Sequence, residues 1–343
     1  MDTKIITNPS EQDIDMLARA LRNGELVSIP TETVYGLGAN GLDPEAMDKI
    51  YAAKGRPSDN PLILHVPNSE SIKPLVTEVS TTAQALMDRF WPGPLTITLP
   101  KSDLVPDRAT GGLPRVALRC PDHDGCRQLL QRAGIPIAAP SANISGRPSP
   151  TTAQAVYNDM NGRISYILDA GPCTIGVEST VVEVHDDKVI ILRPGGITKA
   201  QLETVVSTVE YDTALVSGET KPKAPGMKYT HYAPDAPMTV VVGTPESVAN
   251  TFKELSKGIE GPIGCLVSHE TYELIKDDTR FMCHCFGHHG DALALGHDFY
   301  KSLLLFNENR VNLILAEGVN DDGFGVAIMN RMEKASGHHI IYK

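Results

Sequence analysis

The sequence contains no apolar run that approaches the roughly 20 residues a membrane-spanning helix needs. Its first residues, Met-Asp-Thr-Lys, lack the apolar core of a secretory signal peptide. Its six cysteines, among 343 residues, are too few and too scattered for a disulfide framework. Together these absences favour a reducing compartment, so we expect a cytoplasmic protein with no membrane segment.

Positive charge is also in short supply. The chain has 31 Lys and Arg against 42 Asp and Glu, which gives a formal net charge of −11. Affinity for a nucleic-acid backbone is a sum of Lys and Arg contacts, so an acidic chain is a poor general binder of nucleic acid. The charge balance leaves room for a local basic pocket that takes a small anion.

The length suits two domains. In residues 1–208 many short apolar strands and fewer helices predict an α/β domain with a twisted mixed sheet. In residues 238–343 strands and helices alternate, which predicts a parallel sheet and a smaller Rossmann-like domain. Residues 209–237 are rich in proline and follow neither period, so we predict a linker. Aromatic residues and cations interleave at 228–232, which favours a ligand-facing loop over a passive spacer.

Stiff polar loops flank the apolar runs of the first domain. Lys54 and Arg56 lie on a Gly/Pro turn that leads into an apolar strand ending at His65. A compact ammonium and a planar guanidinium on a rigid loop are suited to a polyphosphate. Alone, this loop is equally consistent with a solvated surface turn. Similar loops at 30–38, 139–143 and 176–180 favour a shared site at one edge of the sheet.

Arginines and serines near predicted strand ends supply the other candidate groups. Arg115 and Arg119 are four residues apart on one strand, so both can point into one pocket. Arg193 ends another strand, before a Pro-Gly-Gly turn. Ser141 and Ser179 do not lie in G-x-S-x-G, so they fit hydroxyl donors to phosphate or carboxylate better than nucleophiles.

Other motifs are weaker. Residues 36–41 satisfy G-x-G-x-x-G, but the first glycine follows its strand by six residues, which disfavours nicotinamide binding. No P-loop motif occurs. Cys283, Cys285, His288 and His289 have the wrong spacing for a structural zinc site, and a buried strand with a His-rich turn explains them better. We therefore expect no metal site built from protein ligands.

Taken together, the loops resemble the L-threonylcarbamoyladenylate synthase family of YrdC-like domain proteins, in its longer two-domain branch. The matching segments are residues 30–38, 54–57, 60–65, 91–94, 139–143, 149–151, 177–180 and 192–195. They span most of residues 1–207, and residues 224–234 fit the linker of the longer branch. The second domain matches only loosely.

The resemblance implies a nucleotidyltransferase. It would make threonylcarbamoyl-AMP and pyrophosphate from L-threonine, bicarbonate or CO₂, and ATP. Downstream threonylcarbamoyl transferase proteins would use the product to form threonylcarbamoyladenosine in tRNA, and direct tRNA binding by this chain is expected to be weak or absent. The resemblance assigns L-threonine binding to Thr33, His65, Arg119, Ala139 and Ser179. It assigns ATP binding to Arg56, Asn60, Arg115, Ser141, Asn143, Ser149, Arg193 and Tyr232.

The implied chemistry needs positioning and charge neutralisation. Threonine N-carboxylate attacks the α-phosphate and pyrophosphate leaves, so we expect Lys54 and Arg56 to be catalytic and Mg²⁺ to accompany ATP. The mixed anhydride is prone to hydrolysis, so we expect residues 209–237 to close over the pocket and insert Tyr232.

Three alternatives stay open. The first is an RNA-binding module, which the net charge disfavours. The second is a carbamoyltransferase domain that forms carbamoyl-adenylate, although the zinc-finger and acylphosphatase segments of such proteins are missing. The third is a regulatory nucleotide-binding protein without turnover.

Overall fold

The structure is a computed structural model that describes residues 2–57, 60–213, 215 and 231–343. Within that range the chain divides into two compact units. The first comprises residues 1–145, 149–174 and 178–229, and the second residues 146–148, 175–177 and 230–343, each as far as it is described. None of the helices described is long and apolar enough to cross a membrane.

The described helices of the two units have the following bounds: α1 Glu11–Arg22, α2 Pro44–Lys54, α3 Thr81–Phe90, α4 Asp107–Thr110, α5 Asp124–Ala133, α6 Ala153–Met160, α7 Lys199–Glu203, α8 Pro245–Leu255, α9 His269–Ile275, α10 Ala292–Glu308 and α11 Gly325–Ala335. A 3-10 helix covers Ser69–Leu75.

The described strands have the following bounds: β1 Lys4–Thr7, β2 Val27–Ile29, β3 Gly36–Asn40, β4 Ile63–His65, β5 Leu95–Pro100, β6 Arg115–Arg119, β7 Ile137–Ala138, β8 Tyr166–Asp169, β9 Thr180–Val184, β10 Val189–Arg193, β11 Val209–Tyr211, β12 Met238–Val242, β13 Ile263–Val267, β14 Phe281–Cys285, β15 Leu313–Glu317 and β16 Ile340–Tyr342.

Capping residues in the sequence determine where the first two helices begin and end. Ser10 caps α1 through a capping box with Asp13. Asp43 caps α2, whose first residue is Pro44, a position that needs no backbone N–H. The helix ends at Gly55, which is left-handed at φ 63°. This turn places Lys54 and the cationic loop at the C-terminus of α2.

The first unit contains an eleven-stranded sheet in the order β1-β8-β2-β3-β7-β4-β6-β5-β9-β10-β11. It has parallel and antiparallel pairs, which confirms the predicted mixed sheet. Residues that pair across neighbouring strands point to the same face of the sheet. On one face the paired residues are apolar and belong to the hydrophobic core: Leu64, Leu118, Ile97 and Val182.

The opposite face of the same strands is polar. Register pairs His65 with Arg119, Ala117 with Thr98, and Thr98 with Glu183. Residues alternate along a strand, so Arg119, Ala117 and Arg115 share this face. We call the part of the sheet that carries these side chains, on β4, β5, β6 and β9, the polar face.

The sequence pattern did not predict strand β3, because its residues are rich in glycine. A Cβ on Gly38 would lie 2.9 Å from Val27 O and 3.0 Å from Ile137 Cγ2. Gly36 and Gly38 therefore serve close packing between strands rather than a dinucleotide turn.

The predicted linker begins too early. Residues 209–211 form β11, which pairs in parallel with β10 in the first sheet. Helix α7 provides the crossover between these parallel strands, as a βαβ unit requires. The three-residue strand was too short to recognise from its pattern. Residues 216–230 of the predicted linker lie outside the described residues.

The second unit has a five-stranded parallel sheet in the order β14-β13-β15-β12-β16. Helices α8 and α9 pack on one face through Val248, Phe252 and Ile275. Helix α10 covers the other, where Phe306 lies against Gly264. The predicted parallel α/β domain is confirmed. Its strand order, 3-2-4-1-5 within the unit, differs from the 3-2-1-4-5 of a dinucleotide-binding Rossmann fold.

Candidate active site

The loop after β2 is a tight buried turn. Thr31 Oγ1 donates to Val34 O over 2.6 Å and accepts the backbone N–H groups of Thr33 and Val34, both at 3.2 Å. The Thr33 hydroxyl lies 2.9 Å from that of Thr31. The carbonyl of Glu32 accepts the backbone N–H of Thr174 at 3.1 Å. These bonds fix the backbone on both sides of the Glu32 side chain.

Glu32 and Arg119 form a buried ion pair, with 2.8 Å between Oε2 and Nη2 and side chains 7% and 5% exposed. Within the part of the chain that the structure describes, neither carboxylate oxygen of Glu32 makes an aligned hydrogen bond, and neither does Nη2 of Arg119. The Nε of Arg119 reaches only Gly93 O, at 3.4 Å. Buried polar atoms are nearly always hydrogen-bonded, so these carboxylate and guanidinium atoms can still form hydrogen bonds to a ligand.

His65 lies beside Arg119 across the β4–β6 pairing and is buried. Burial, together with the charge of Arg119, lowers the pKa of His65 to about 3. Its Nδ1 makes no hydrogen bond to a residue that the structure describes. The side chain is therefore a neutral imidazole at pH 7, with a nitrogen available to a ligand.

Ser179 and Arg193 are held together at the start of β9. Arg193 donates to Ser179 O at 2.9 and 3.2 Å and to Ser179 Oγ at 3.2 Å. Ser179 Oγ also bonds Thr96 Oγ1 at 2.8 Å. A Cβ on Gly195 would lie 2.4 Å from the Glu178 carbonyl oxygen. The bend after β10 therefore packs directly on the Ser179 backbone, which only glycine permits.

Lys54 lies with Ser141 and Asn143. Its ammonium donates to Ser141 O and to Asn143 O, the latter at 2.6 Å, and it is 2% exposed. Burial and the charge of Arg56 hold the pKa of Lys54 well below its usual value. Its carbonyl accepts the N–H of Ser145 at 2.8 Å. Lys54 thus fixes the 139–145 loop through backbone oxygens.

Two other predicted nucleotide contacts follow Lys54. Arg56 Nη2 donates to Pro61 O at 3.2 Å. Asn60 is buried, and among the described residues neither polar atom of its amide has a hydrogen-bond partner. Residues 58 and 59, between Arg56 and Asn60, lie outside the described residues. Asn60 therefore joins the Glu32–Arg119 pair and His65 as a buried group that can bond a ligand.

Arg115 shares a face with Arg119 but contacts different groups. Its Nη2 donates to Thr98 O at 2.8 Å and to Val184 O at 2.6 Å. It lines a cavity of about 240 Å³ with the following residues: Pro61, Leu62, Thr98, Thr110, Leu113, Pro114, Ala117 and Glu183. Arg115 and Arg119 thus lie at opposite ends of β6 and do not contact the same groups.

The remaining predicted residues of the first unit are buried. Ser149 Oγ donates to Glu178 Oε1 at 2.6 Å. Ala139 N–H donates to Ile63 O at 3.0 Å, opposite the start of β4, while His65 ends that strand. Three of the four predicted loops meet at one edge of the sheet: Lys54 donates to Ser141 O, and the Ala142 N–H donates to Tyr35 O. This edge forms because β7 and β4 run antiparallel, so that the chain leaves β7 where it enters β4. Ser179 precedes β9 at the other end of these strands.

Tyr232 belongs to the second unit, where it is buried at φ 66°. Its ring centroid lies 5.3 Å from that of Tyr300, and Arg331 lies over it at 5.8 Å. Its assignment to ATP stays a prediction.

Two acidic residues of the site were missed from the sequence: Glu32 and Glu178. Both stand inside the recognised motifs, at Pro30-Thr-Glu-Thr33 and Val177-Glu-Ser179. The available signal was an acidic residue next to a hydroxyl residue inside each motif.

Comparisons with known proteins agree with this architecture. A family model described as "Telomere recombination" matches residues 19–195. One described as "Threonylcarbamoyl-AMP synthase, C-terminal domain" matches residues 197–337. The threonylcarbamoyl-AMP synthase of Bacillus subtilis is 46% identical over 97% of this chain and 95% of its own length. That of Pyrococcus abyssi is 43% identical over 96% of both chains.

A solved structure gives the same result. The crystal structure of P. abyssi Sua5 complexed with L-threonine aligns with a TM-score of 0.90 and 41% identity, covering 100% of both chains. The resemblance inferred from the motifs is thereby confirmed. The chain belongs to the threonylcarbamoyl-AMP synthase family of enzymes.

Proposed function

We propose that this chain makes threonylcarbamoyl-AMP and pyrophosphate from L-threonine, bicarbonate and ATP with Mg²⁺. The observation that carries the proposal is the buried Glu32–Arg119 pair, which lies beside a neutral His65 and whose facing atoms have no aligned hydrogen bond from any described residue. An amino-acid zwitterion carries the complementary charges. The names of the relatives and the L-threonine complex of P. abyssi Sua5 support the same substrate.

L-threonine binds around this pair. Arg119 takes the carboxylate, because a guanidinium recognises a carboxylate with two parallel donors. His65, Ser179 and Thr33 surround it with neutral polar groups, and the small side chain of Ala139 leaves room. These groups come from β4, β6 and three loops at strand ends, so a rigid sheet positions the amino acid.

ATP binds on the cationic side of the same face. Arg56 and Arg193 neutralise phosphate charge, while Asn60, Ser141, Asn143 and Ser149 supply polar contacts. The cavity beside Arg115 has apolar walls from Leu62, Leu113 and Pro114, which suit a flat base. Lys54 contributes by holding the 139–145 loop in place.

The reaction needs no protein nucleophile. Threonine forms an N-carboxylate with bicarbonate, and that carboxylate attacks the α-phosphate as pyrophosphate leaves. The enzyme aligns the two anions and stabilises the charge that builds up at phosphorus. Cytoplasmic transferases consume the product for tRNA modification.

The test is pyrophosphate release from ATP by the whole chain. We expect release that requires both L-threonine and bicarbonate, and Arg56→Ala should lower it by about 10²- to 10³-fold. Lys73→Ala, an exposed cation paired with Glu70, is the matched control. Pyrophosphate release that ignores L-threonine, or that requires carbamoyl phosphate instead, contradicts the proposal and favours the carbamoyltransferase alternative.

A further inference from the structure

The charge of Glu32 is buried and incompletely satisfied. Among the described residues its ion-pair partner is Arg119, and none of them makes an aligned hydrogen bond to its two carboxylate oxygens. The turn built on Thr31 and the bond from Thr174 hold its backbone. The carboxylate therefore stays at the polar face in need of a hydrogen-bond donor, preferably a cationic one.

We propose that Glu32 binds the ammonium group of L-threonine and accepts the proton that this group loses before it attacks bicarbonate. This inference rests on the proposed function. The ammonium and carboxylate of an α-amino acid share one carbon, so they can face two protein charges that are themselves adjacent. Glu32 and Arg119, at 2.8 Å, provide such a pair.

The other candidate bases on this face are unsuited or engaged. His65 lies beside Arg119, and burial together with that charge lowers its pKa to about 3, because a proton on its imidazole would place a second buried cation there. Glu178 already accepts a hydrogen bond from the Ser149 hydroxyl, at 2.6 Å. Glu183 lies 2.9 Å from Nε2 of His185. The Lys54 amine donates to two carbonyl oxygens.

The step is balanced. Glu32 carboxylate takes one proton from the threonine ammonium and becomes a carboxylic acid. The free amine attacks the carbon of bicarbonate and forms an N–C bond. The C–OH bond of bicarbonate breaks, and its hydroxide leaves as water with a second proton from nitrogen. The product is threonine N-carboxylate, and Glu32 later returns its proton to solvent.

The binding test compares two ligands that differ only at the amine. These are L-threonine and (2S,3R)-2,3-dihydroxybutanoate, which carries a hydroxyl in its place, and both are titrated calorimetrically. The native chain should prefer L-threonine by tenfold or more. In Glu32→Gln the affinity for L-threonine should fall 10- to 100-fold, while the hydroxy acid binds at least as well as to the native chain because Arg119 is freed.

The kinetic test separates binding from proton transfer. At saturating L-threonine, Glu32→Gln should lower kcat at least 100-fold. Glu32→Asp keeps the charge and should retain the preference for the amine while lowering kcat less. Glu70→Gln, an exposed glutamate paired with Lys73, is the control and should match the native chain.

The two hypotheses fail differently. If Glu32→Gln retains the native preference and the native kcat, Glu32 has no role in amine recognition and the inference is overturned. If the native chain itself neither binds L-threonine nor releases pyrophosphate in response to it, the proposed function fails whatever Glu32 does.

Discussion

One buried glutamate in each unit shows how differently the two regions use the same group. Glu317, fully buried in the second unit, accepts the N–H of Ser268 at 2.8 Å and its hydroxyl at 2.9 Å, and lies 2.7 Å from Nδ1 of His289. Glu32, 6% exposed in the first unit, has an ion pair without aligned hydrogen bonds. A satisfied carboxylate ties elements together, whereas an unsatisfied one is suited to a ligand.

The sheets of the two units also differ, in what covers their faces. The parallel sheet of the second unit has helices on both faces, as parallel sheets require. The mixed sheet of the first unit has an apolar core on one face, whereas its other face is covered by α1 and α5 only over β2, β7 and β8 and carries the polar face on β4, β5, β6 and β9. We therefore expect substitutions on the polar face to change catalysis and stability separately, and matched changes in the second unit to affect stability alone.

The largest effect should come from Arg119→Met, which leaves Glu32 buried without its partner. Breaking a buried ion pair costs about 3–5 kcal/mol. Adding Glu32→Gln should recover much of that stability but no activity. Glu317→Gln should destabilise the second unit without changing L-threonine affinity. Urea denaturation and threonine titration check all three variants, and an unchanged denaturation midpoint for Arg119→Met would contradict the importance of the pair.

Lys54→Met should have the next largest effect. It removes two hydrogen bonds to the carbonyls of Ser141 and Asn143, at about 1–2 kcal/mol each. The 139–145 loop then moves, so ATP binding should weaken with the stability. Lys54→Arg should not restore activity, because a planar guanidinium does not fit a site built for a compact ammonium. Nucleotide titration and thermal melting measure both effects, with Lys73→Met as an exposed control.

Two glycines sharpen the comparison further. Gly195→Ala places a methyl group against the Glu178 and Ser179 backbone, and Gly264→Ala places one 2.7 Å from the Phe306 ring. Each should cost about 1–3 kcal/mol through overpacking. Only Gly195→Ala should also raise the KM for L-threonine, because it displaces Ser179. Equal KM values for the two variants would show that the Ser179 loop does not position substrate.

The sequence predicted the second unit more accurately than the first. The sequence pattern predicts a strand at 263–267 and a helix at 325–335, and β13 and α11 have these bounds. It predicts a strand at 311–315, and β15 is shifted from it by two residues. Regular βαβ alternation makes each element predictable from its own residues. Strands β3 and β11 were missed because glycine content and short length hide their pattern, and only pairing with distant strands creates them.

The sequence predicted the residue types of the site but not the contacts that those residues make. Motifs identified the cations and hydroxyl groups, since residue types at loop ends are local information. They did not reveal that Lys54 bonds backbone oxygens, or that Arg119 already faces Glu32. Both depend on contacts between segments far apart in the chain, which spacing alone does not encode.

The smallest effect concerns His65, whose pKa is lowered to about 3 in the folded chain from about 6.5 when unfolded. Above pH 6.5 both states hold a neutral imidazole, so the full stability is present. As pH falls from 6.5 towards 3, only the unfolded state takes up the proton, and stability is lost. Linkage gives a loss of about 1 kcal/mol between pH 7.5 and 5.5. Denaturation of the native chain and His65→Gln at both values measures this difference. If both chains lose the same stability, His65 is protonated in the folded state, and its role as a neutral ligand at the polar face would be wrong.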